Sequence, residues 1–171
     1  MRLSAFLFCL IVPLATASWG EDRAREITVT GEGSVAATPD MAVVTIGVSR
    51  QARLAGDAMA ETSKAAGEVL KTVAKAGVEP RDVQTSSVSL HPRWERQQQR
   101  DTPPRVVGYQ ADNTLMVRVR DLDKLGSILD QVVGSGANQM HGLSFSLSNP
   151  RPVQDKARAA AVRDARAKAV I

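Results

Sequence analysis

The sequence predicts an α+β fold in which a mixed β-sheet has helices packed on one face. Two successive stretches, 41–94 and 107–148, each show the pattern strand, helix, strand. Within each stretch apolar residues alternate with polar ones, then recur every three or four positions, then alternate again. The two helical parts differ in length and composition, so the repetition lies in the architecture rather than in the sequence. Each stretch is expected to form a right-handed crossover between parallel strands, with hairpins elsewhere.

The residues before the first stretch carry a weaker pattern. Ile27 and Val29 alternate with threonines and predict a short first strand, and Gly31 and Gly33 predict a tight turn or bulge. A dinucleotide-binding loop is the alternative for these glycines. It is disfavoured because a second strand follows them and no helix opens there.

The first stretch predicts a long strand over 41–53, a helix over 56–76 and a strand over 83–94. The apolar face of the long strand consists of Ala42, Val44, Ile46 and Val48. Gly77 follows the helix at the position where a left-handed residue commonly ends one, and Val78 is placed to pack back on the helix.

The second stretch predicts a strand over 106–120, a helix over 121–133 and a strand over 140–148. Asp121 and Asp123 stand at the start of this helix, where carboxylates interact favourably with the helix dipole. A cation site is the alternative. It is disfavoured because the glycine and the distal glutamate of an EF-hand loop are missing.

A last, alanine-rich helix is predicted to begin with Asn149 as its N-cap and Pro150 as its first residue. Asp164 and Lys168 have the i,i+4 spacing of a helical ion pair. The helical pattern is still in progress where the sequence stops at Ile171.

Residues 1–17 have the pattern of a cleaved signal peptide. Arg2 gives a positive start, 3–14 is apolar, and Ala15-Thr16-Ala17 matches a small-x-small cleavage site. A membrane anchor is the alternative, and it is disfavoured because the apolar run is shorter than the ~20 residues that a spanning helix needs. We therefore expect export to the periplasm.

Cleavage after Ala17 removes the single cysteine, Cys9. The mature chain would then have no disulfide, no thiol catalysis and no cysteine-ligated metal. We expect it to consist of a flexible lead-in over 18–25 and a single domain over 26–171.

Residue types that carry chemistry are sparse in this chain. The two histidines, His91 and His141, are expected on a polar strand face and in a turn, without the spacing of metal ligands. The serines show no G-x-S-x-G elbow. The sequence therefore predicts no catalytic residue, no metal and no cofactor. The net charge is +4, but the basic residues are interleaved with acidic ones, and aromatic residues make up 4% of the chain. No nucleic-acid partner is therefore expected.

The polar segment between Trp94 and Tyr109 is the best candidate for a contact surface. It contains Arg96, Arg100 and Arg105, which give it a local positive charge. Aromatic and arginine side chains are favoured at the centres of interfaces. We interpret these five residues as a candidate interface with a neighbouring subunit or with an acidic envelope component. A solvated loop flanked by core aromatic residues is the alternative.

Four strings, in this order and spacing, resemble the SIMPL-domain family. They are ITVTGEGSVAATPDMAVVTIGV (27–48), GVEPRDVQTSSVSLHPRW (77–94), VGYQADNTLMVRVRDLDKLGSILDQVVGSGAN (107–138) and GLSFSLSNPRPVQDKARAAAVRDARAKA (142–169). The family comprises bacterial periplasmic and outer-membrane-associated proteins. The resemblance therefore implies an α+β fold, a periplasmic location and association with the outer membrane.

The resemblance also implies a link to envelope or oxidative stress and, from at least one member, assembly into a large channel-like oligomer. It brings no established catalytic residues. In family members the last helix continues and another strand follows it. Because this sequence stops at Ile171, we expect its SIMPL-like domain to be incomplete at the C-terminus.

Two functions are consistent with these observations. The first is a non-enzymatic envelope protein that works as a homo-oligomer larger than a dimer. The second is a monomeric periplasmic module that binds a small ligand or a metal in a cleft between sheet and helices. An enzyme such as a hydrolase is disfavoured because the sequence shows no nucleophile–base pair and no metal constellation.

Overall fold

The computed structural model describes residues 26–95 and 103–170. In chain order these residues form strand β1 (Met41–Ala52), helix α1 (Ala55–Lys75), strand β2 (Val83–Trp94), strand β3 (Val106–Val119), helix α2 (Leu125–Gly134), strand β4 (Gln139–Ser146) and helix α3 (Arg151–Ala169). Two short 3₁₀ turns, Pro80–Asp82 and Leu122–Lys124, precede β2 and α2. The predicted strands and helices of both stretches are confirmed, with boundaries that differ by a few residues.

The four strands form one sheet in the order β2-β3-β1-β4. The α+β class is confirmed, but the expectation of a mixed sheet is wrong, since all three neighbouring pairs are antiparallel. It follows that β1 runs parallel to β2 with β3 between them, and that β3 runs parallel to β4 with β1 between them. Each strand–helix–strand stretch does connect two parallel strands, but it leaves a gap of one strand, and a strand of the other stretch fills that gap.

The core lies between one face of the sheet and helices α1 and α2. The predicted apolar face of β1 is confirmed, because its four residues belong to one buried cluster. In register with them, Val119, Val117 and Leu115 of β3 lie on the same face. The helices contribute Ala66, Val69 and Val73 from α1 and Leu125, Ile128 and Val132 from α2. These apolar contacts attach both helices to the two inner strands.

Helix α1 ends as predicted. Gly77 has a φ of +90°, the left-handed conformation that favours glycine after a helix. The backbone N–H of Val78 donates to the carbonyl of Val73 at 3.2 Å, and the Val78 side chain packs against the core. The chain therefore turns sharply toward β2 without leaving an apolar side chain in solvent.

Two local predictions are wrong. Ile27 and Val29 form no strand, because the segment 26–38 crosses α3 and pairs with no strand in the described part of the chain. His141 lies within β4 and not in a turn, at a β-bulge in the pairing with β1. The predicted start of the last helix differs from the observed one by one residue, since Pro150 rather than Asn149 is the N-cap of α3.

An ion pair between a buried Asp82 and a half-exposed Arg120 connects the start of β2 to the end of β3. Asp82 is 3% exposed, and its two carboxylate oxygens accept hydrogen bonds from Nε and Nη2 of Arg120 at 2.6 and 2.7 Å. Two parallel hydrogen bonds of this kind are strong and specific in direction. The hydrogen bonds from Arg120 lower the pKa of Asp82 below its ordinary value, more than burial raises it.

We expect Asp82→Asn to lower the free energy of unfolding by about 1–2 kcal/mol at pH 7, since a charge-assisted pair is replaced by a weaker one. The folded-state pKa of Asp82 is lower than the unfolded-state pKa, so its contribution is complete above the unfolded value of about 3.9. That contribution is lost as the pH falls through the folded-state pKa. Urea unfolding of wild type and variant should therefore converge in acid.

Glu79→Gln is the matched control, because Glu79 forms a solvent-exposed pair with Arg81 at 2.7 Å. A change of at most about 0.5 kcal/mol is expected there. An effect of Asp82→Asn that is as large in acid as at pH 7 would contradict the assignment to the charged pair.

Candidate functional site

Edge strand β4 carries an apolar surface that no described residue covers. Met140, Leu143 and Phe145 pair in register with Ile46, Val44 and Ala42 of β1. Their side chains therefore lie on the helix-bearing face of the sheet. They nevertheless remain 52%, 43% and 54% exposed.

The exposed surface continues onto helix α2. Val133 is 59% exposed, and a groove of about 210 Å³ runs between α2 and the start of β4. Its apolar lining consists of Ile46, Leu129, Val132, Val133, Ala137 and Met140. We call Val133, Met140, Leu143 and Phe145 together the β4 surface. Soluble monomers rarely leave apolar side chains in a contiguous patch without a use for it.

The strand beneath this surface has only one of the features that usually protect a sheet edge. Natural edge strands carry charges, prolines or bulges that prevent pairing with another chain. From Gln139 to Ser146 there is no charged residue and no proline, and the bulge at His141 is the one irregularity in the pairing with β1. The outer backbone groups of β4 are therefore available to a further strand.

The opposite face of the sheet carries polar side chains over much of its area, and no described helix packs extensively on it. Gln51 donates to the amide oxygen of Gln110 at 3.1 Å, and Gln110 donates to Asp112 at 3.1 Å. Gln139 donates to the same carboxylate at 3.4 Å. These side chains thus satisfy one another across three strands. In the part of the chain that the structure describes, no three His, Cys, Asp or Glu side chains are placed to hold a metal ion.

The predicted interface residues lie at the base of the β2–β3 hairpin. Trp94 is exposed at the end of β2 and pairs with Val106, and Tyr109 is half-buried opposite Ala52. The carbonyl of Arg105 accepts a hydrogen bond from the N–H of Glu95 at 2.8 Å. Arg96 and Arg100 lie outside the described residues. The role of these five residues in an interface stays a prediction.

Arg105 and Tyr109 line an open groove of about 780 Å³ between the hairpin base and the start of α1. The full lining is Arg53, Leu54, Asp57, Glu95, Arg105, Val106, Val107, Gly108 and Tyr109. It holds two basic and two acidic side chains. The described part of the groove therefore shows no preference for an acidic partner.

Helix α3 and the extended segment 26–38 form an arm that packs on itself. The segment crosses α3 at Gly31 and Gly33, where a Cβ would overlap the carbonyl oxygens of Ala161 and Ala157. Within the described ranges, α3 shares no extensive packing with any other helix or with a strand. The arm therefore gains its order from close backbone contact and not from the core of the domain.

Polar contacts fix the arm at both ends. At its base, Ser148 donates from its backbone N–H and its hydroxyl to Asp40 at 2.6 and 2.7 Å, which lowers the pKa of Asp40. Farther out, Asp164 pairs with Lys168 at 2.7 Å, as predicted, and accepts the N–H of Glu32 at 2.8 Å. The pair with Lys168 is the main cause of a lowered pKa at Asp164, followed by the hydrogen bond from Glu32.

The β4 surface was missed in the sequence, although its strand was recognised. Alternation assigns Leu143 and Phe145 to an apolar face, but it does not tell whether a helix covers that face. The absence of charge from Gln139 to Ser146 is the one signal in the sequence that points to an unprotected edge.

We expect Gly31→Ala to release the segment from α3, because the added methyl group has no space beside the carbonyl of Ala161. The N–H of Glu32 would then lose its bond to Asp164, and its hydrogen exchange should accelerate about tenfold or more. Gly67→Ala in α1 is the control, since open space surrounds its added Cβ. Unchanged exchange of the Glu32 amide in the Gly31 variant would show that the close contact does not hold the arm.

No described helix is both long enough and apolar enough to cross a membrane. Among solved structures, one described as AtUAH in complex with glyoxylate is similar to this chain at 15% identity and a TM-score of 0.38. The alignment covers 71% of this chain and 34% of the AtUAH chain. A likeness at that level supports no argument about function.

Relatives by sequence are far more similar. The chain is 41% identical to the 26 kDa periplasmic immunogenic protein of Brucella melitensis over 84% of this chain and 58% of that protein. It is 30% identical to the uncharacterized protein YggE of Edwardsiella ictaluri, over 81% of this chain and 57% of YggE. The chain is also 30% identical to YggE of Escherichia coli K12, and the match covers 55% of that protein. The chain thus spans little more than half the length of these relatives.

The family model named SIMPL, described as a protein of unknown function (DUF541), matches residues 27–171. This match covers all four strings that resembled the family in the sequence. By the match and by its relatives, the chain belongs to the SIMPL family.

Proposed function

We propose that this chain is a non-enzymatic periplasmic protein that works through self-association. The observation that carries the proposal is the β4 surface, an apolar patch on a sheet edge that has no charged residue and no proline. The name of the Brucella relative and the export pattern of residues 1–17 support the periplasmic location. Roles in envelope or oxidative stress and at the outer membrane are part of the proposal and rest on the family resemblance.

The size of the β4 surface sets what kind of contact it supports. Complete burial of one such side chain contributes about 1.5–3 kcal/mol, so covering the exposed halves of four contributes roughly 4 kcal/mol. Association itself costs about 4–15 kcal/mol in lost freedom. The apolar side chains therefore support a stable complex only together with further contacts, such as backbone hydrogen bonds along β4.

We expect Leu143→Glu to weaken self-association about 100-fold or more, because an unpaired carboxylate would be buried in the contact. Sedimentation velocity over a range of protein concentrations measures this change. Wild type should show a species larger than a dimer, and the variant should sediment as a monomer.

Leu70→Glu in α1 is the matched control. It makes the same substitution at a side chain of nearly the same exposure, 40% against 43% at Leu143, on a helix away from β4. It should leave association unchanged. Wild-type chain that stays monomeric at every concentration, or equal effects of the two variants, would contradict the proposal.

The groove at the hairpin base supports a second candidate, a small-ligand module. Its volume of about 780 Å³ lies within the range of ligand sites. A compound present at 100 times its dissociation constant should raise the melting temperature by about 5–10 °C. Arg105→Ala should remove that shift and Arg81→Ala, on the outer surface, should keep it. Absence of any shift across metals, nucleotides and envelope fragments would count against this candidate.

A further inference from the structure

The second edge of the sheet carries an apolar strip of its own. Val88 and Leu90 of β2 pair in register with Asn113 and Ala111 of β3. Because Ala111 is a core residue, both side chains lie on the helix-bearing face, yet both are exposed. We call Val88 and Leu90 the β2 strip. The two edges of the sheet thus present apolar side chains on the same face.

The directions of the edge strands match one another. β2 runs parallel to β1, and β4 runs antiparallel to β1, so β2 and β4 are antiparallel. A second copy shifted sideways, with its helices on the same face, would place its β2 beside β4 as an antiparallel neighbour. The alternation of strand directions would continue across the joint.

The charges of the two edges are compatible with such a joint. β4 carries no charged residue, and β2 carries none from Val83 to His91. Pro92 and Arg93 occupy the far end of β2, where the ladder would stop, since proline has no N–H to donate. Neither edge would bring like charges together or bury one without a partner.

We propose that β4 of one copy pairs with β2 of the next, in a head-to-tail joint that continues the antiparallel sheet. This inference rests on the proposed self-association and names the two surfaces that meet. Leu143 and Phe145 of one copy would lie beside Val88 and Leu90 of the other in one apolar layer. The backbone hydrogen bonds along the edge would supply the contacts that the β4 surface lacks alone.

The alternative is a two-fold joint of β4 with β4, which is also antiparallel. It would cover the β4 surface and leave the β2 strip exposed, whereas the head-to-tail joint covers both with one kind of contact. A two-fold joint gives a closed dimer. A head-to-tail joint leaves one free edge at each end, so that assembly proceeds until a ring closes or a filament forms.

Two variants, one with the β4 edge blocked and one with the β2 edge blocked, distinguish these joints. Leu143→Glu blocks β4 and Leu90→Glu blocks β2, and Val88→Glu serves as a second block of β2 in case Leu90→Glu fails to fold. The full chain of each variant is examined by sedimentation velocity, alone and in an equimolar mixture. Far-ultraviolet circular dichroism establishes that each variant is folded.

The head-to-tail joint predicts that each variant alone is monomeric. Their mixture should form a discrete dimer, since one chain keeps β2 intact and the other keeps β4. A β2-blocked variant that still dimerises alone, or a mixture that stays monomeric while wild type associates, would overturn the joint and leave self-association standing. Wild type that stays monomeric would overturn the proposed function itself.

Discussion

The fold depends on one strand, β1, that pairs on both of its sides. It is the first strand in the sequence of the described domain, but it lies inside the sheet between β3 and β4. Its alternating apolar residues supply the centre of the core, and β3 places its own apolar residues beside them in register. The crossover from β1 to β2 passes β3, and the crossover from β3 to β4 passes β1. This arrangement leaves β2 and β4, the last strands of the two crossovers, at the edges.

The exposure of β4 follows from the lengths of the helices. α1 has 21 residues and is about 32 Å long, whereas α2 has 10 and is about 15 Å long. β4, with 8 residues, extends over about 27 Å. The long helix α1 packs on the inner strands β1 and β3, and the short helix α2 leaves much of β4 bare. A chain that buries its centre well and its edges poorly gains stability from a neighbour at those edges, which links the packing of the domain to the proposed association.

The sequence predicted what depends on local spacing. The strands and helices, the left-handed Gly77 and the pair of Asp164 with Lys168 were found from period and spacing alone. The neighbours of each strand in the sheet could not be predicted, since alternation shows which residues share a face but not which strand lies alongside. Ile27 and Val29 have the pattern of a strand and form none, because a strand needs a partner and this segment lies on α3. The β4 surface could not be predicted either, because its exposure depends on how far α2 reaches.

Amide hydrogen exchange of β4 at low and high protein concentration tests the central claim most directly. If the β4 edge pairs with a second copy, the amides of β4 that point away from β1 become more protected as concentration rises. The amides in the middle of α1 serve as the internal reference, because their hydrogen bonds lie within the domain at any concentration. Exchange of the outer β4 amides that does not change with concentration, while wild type associates, would place the contact elsewhere on the molecule.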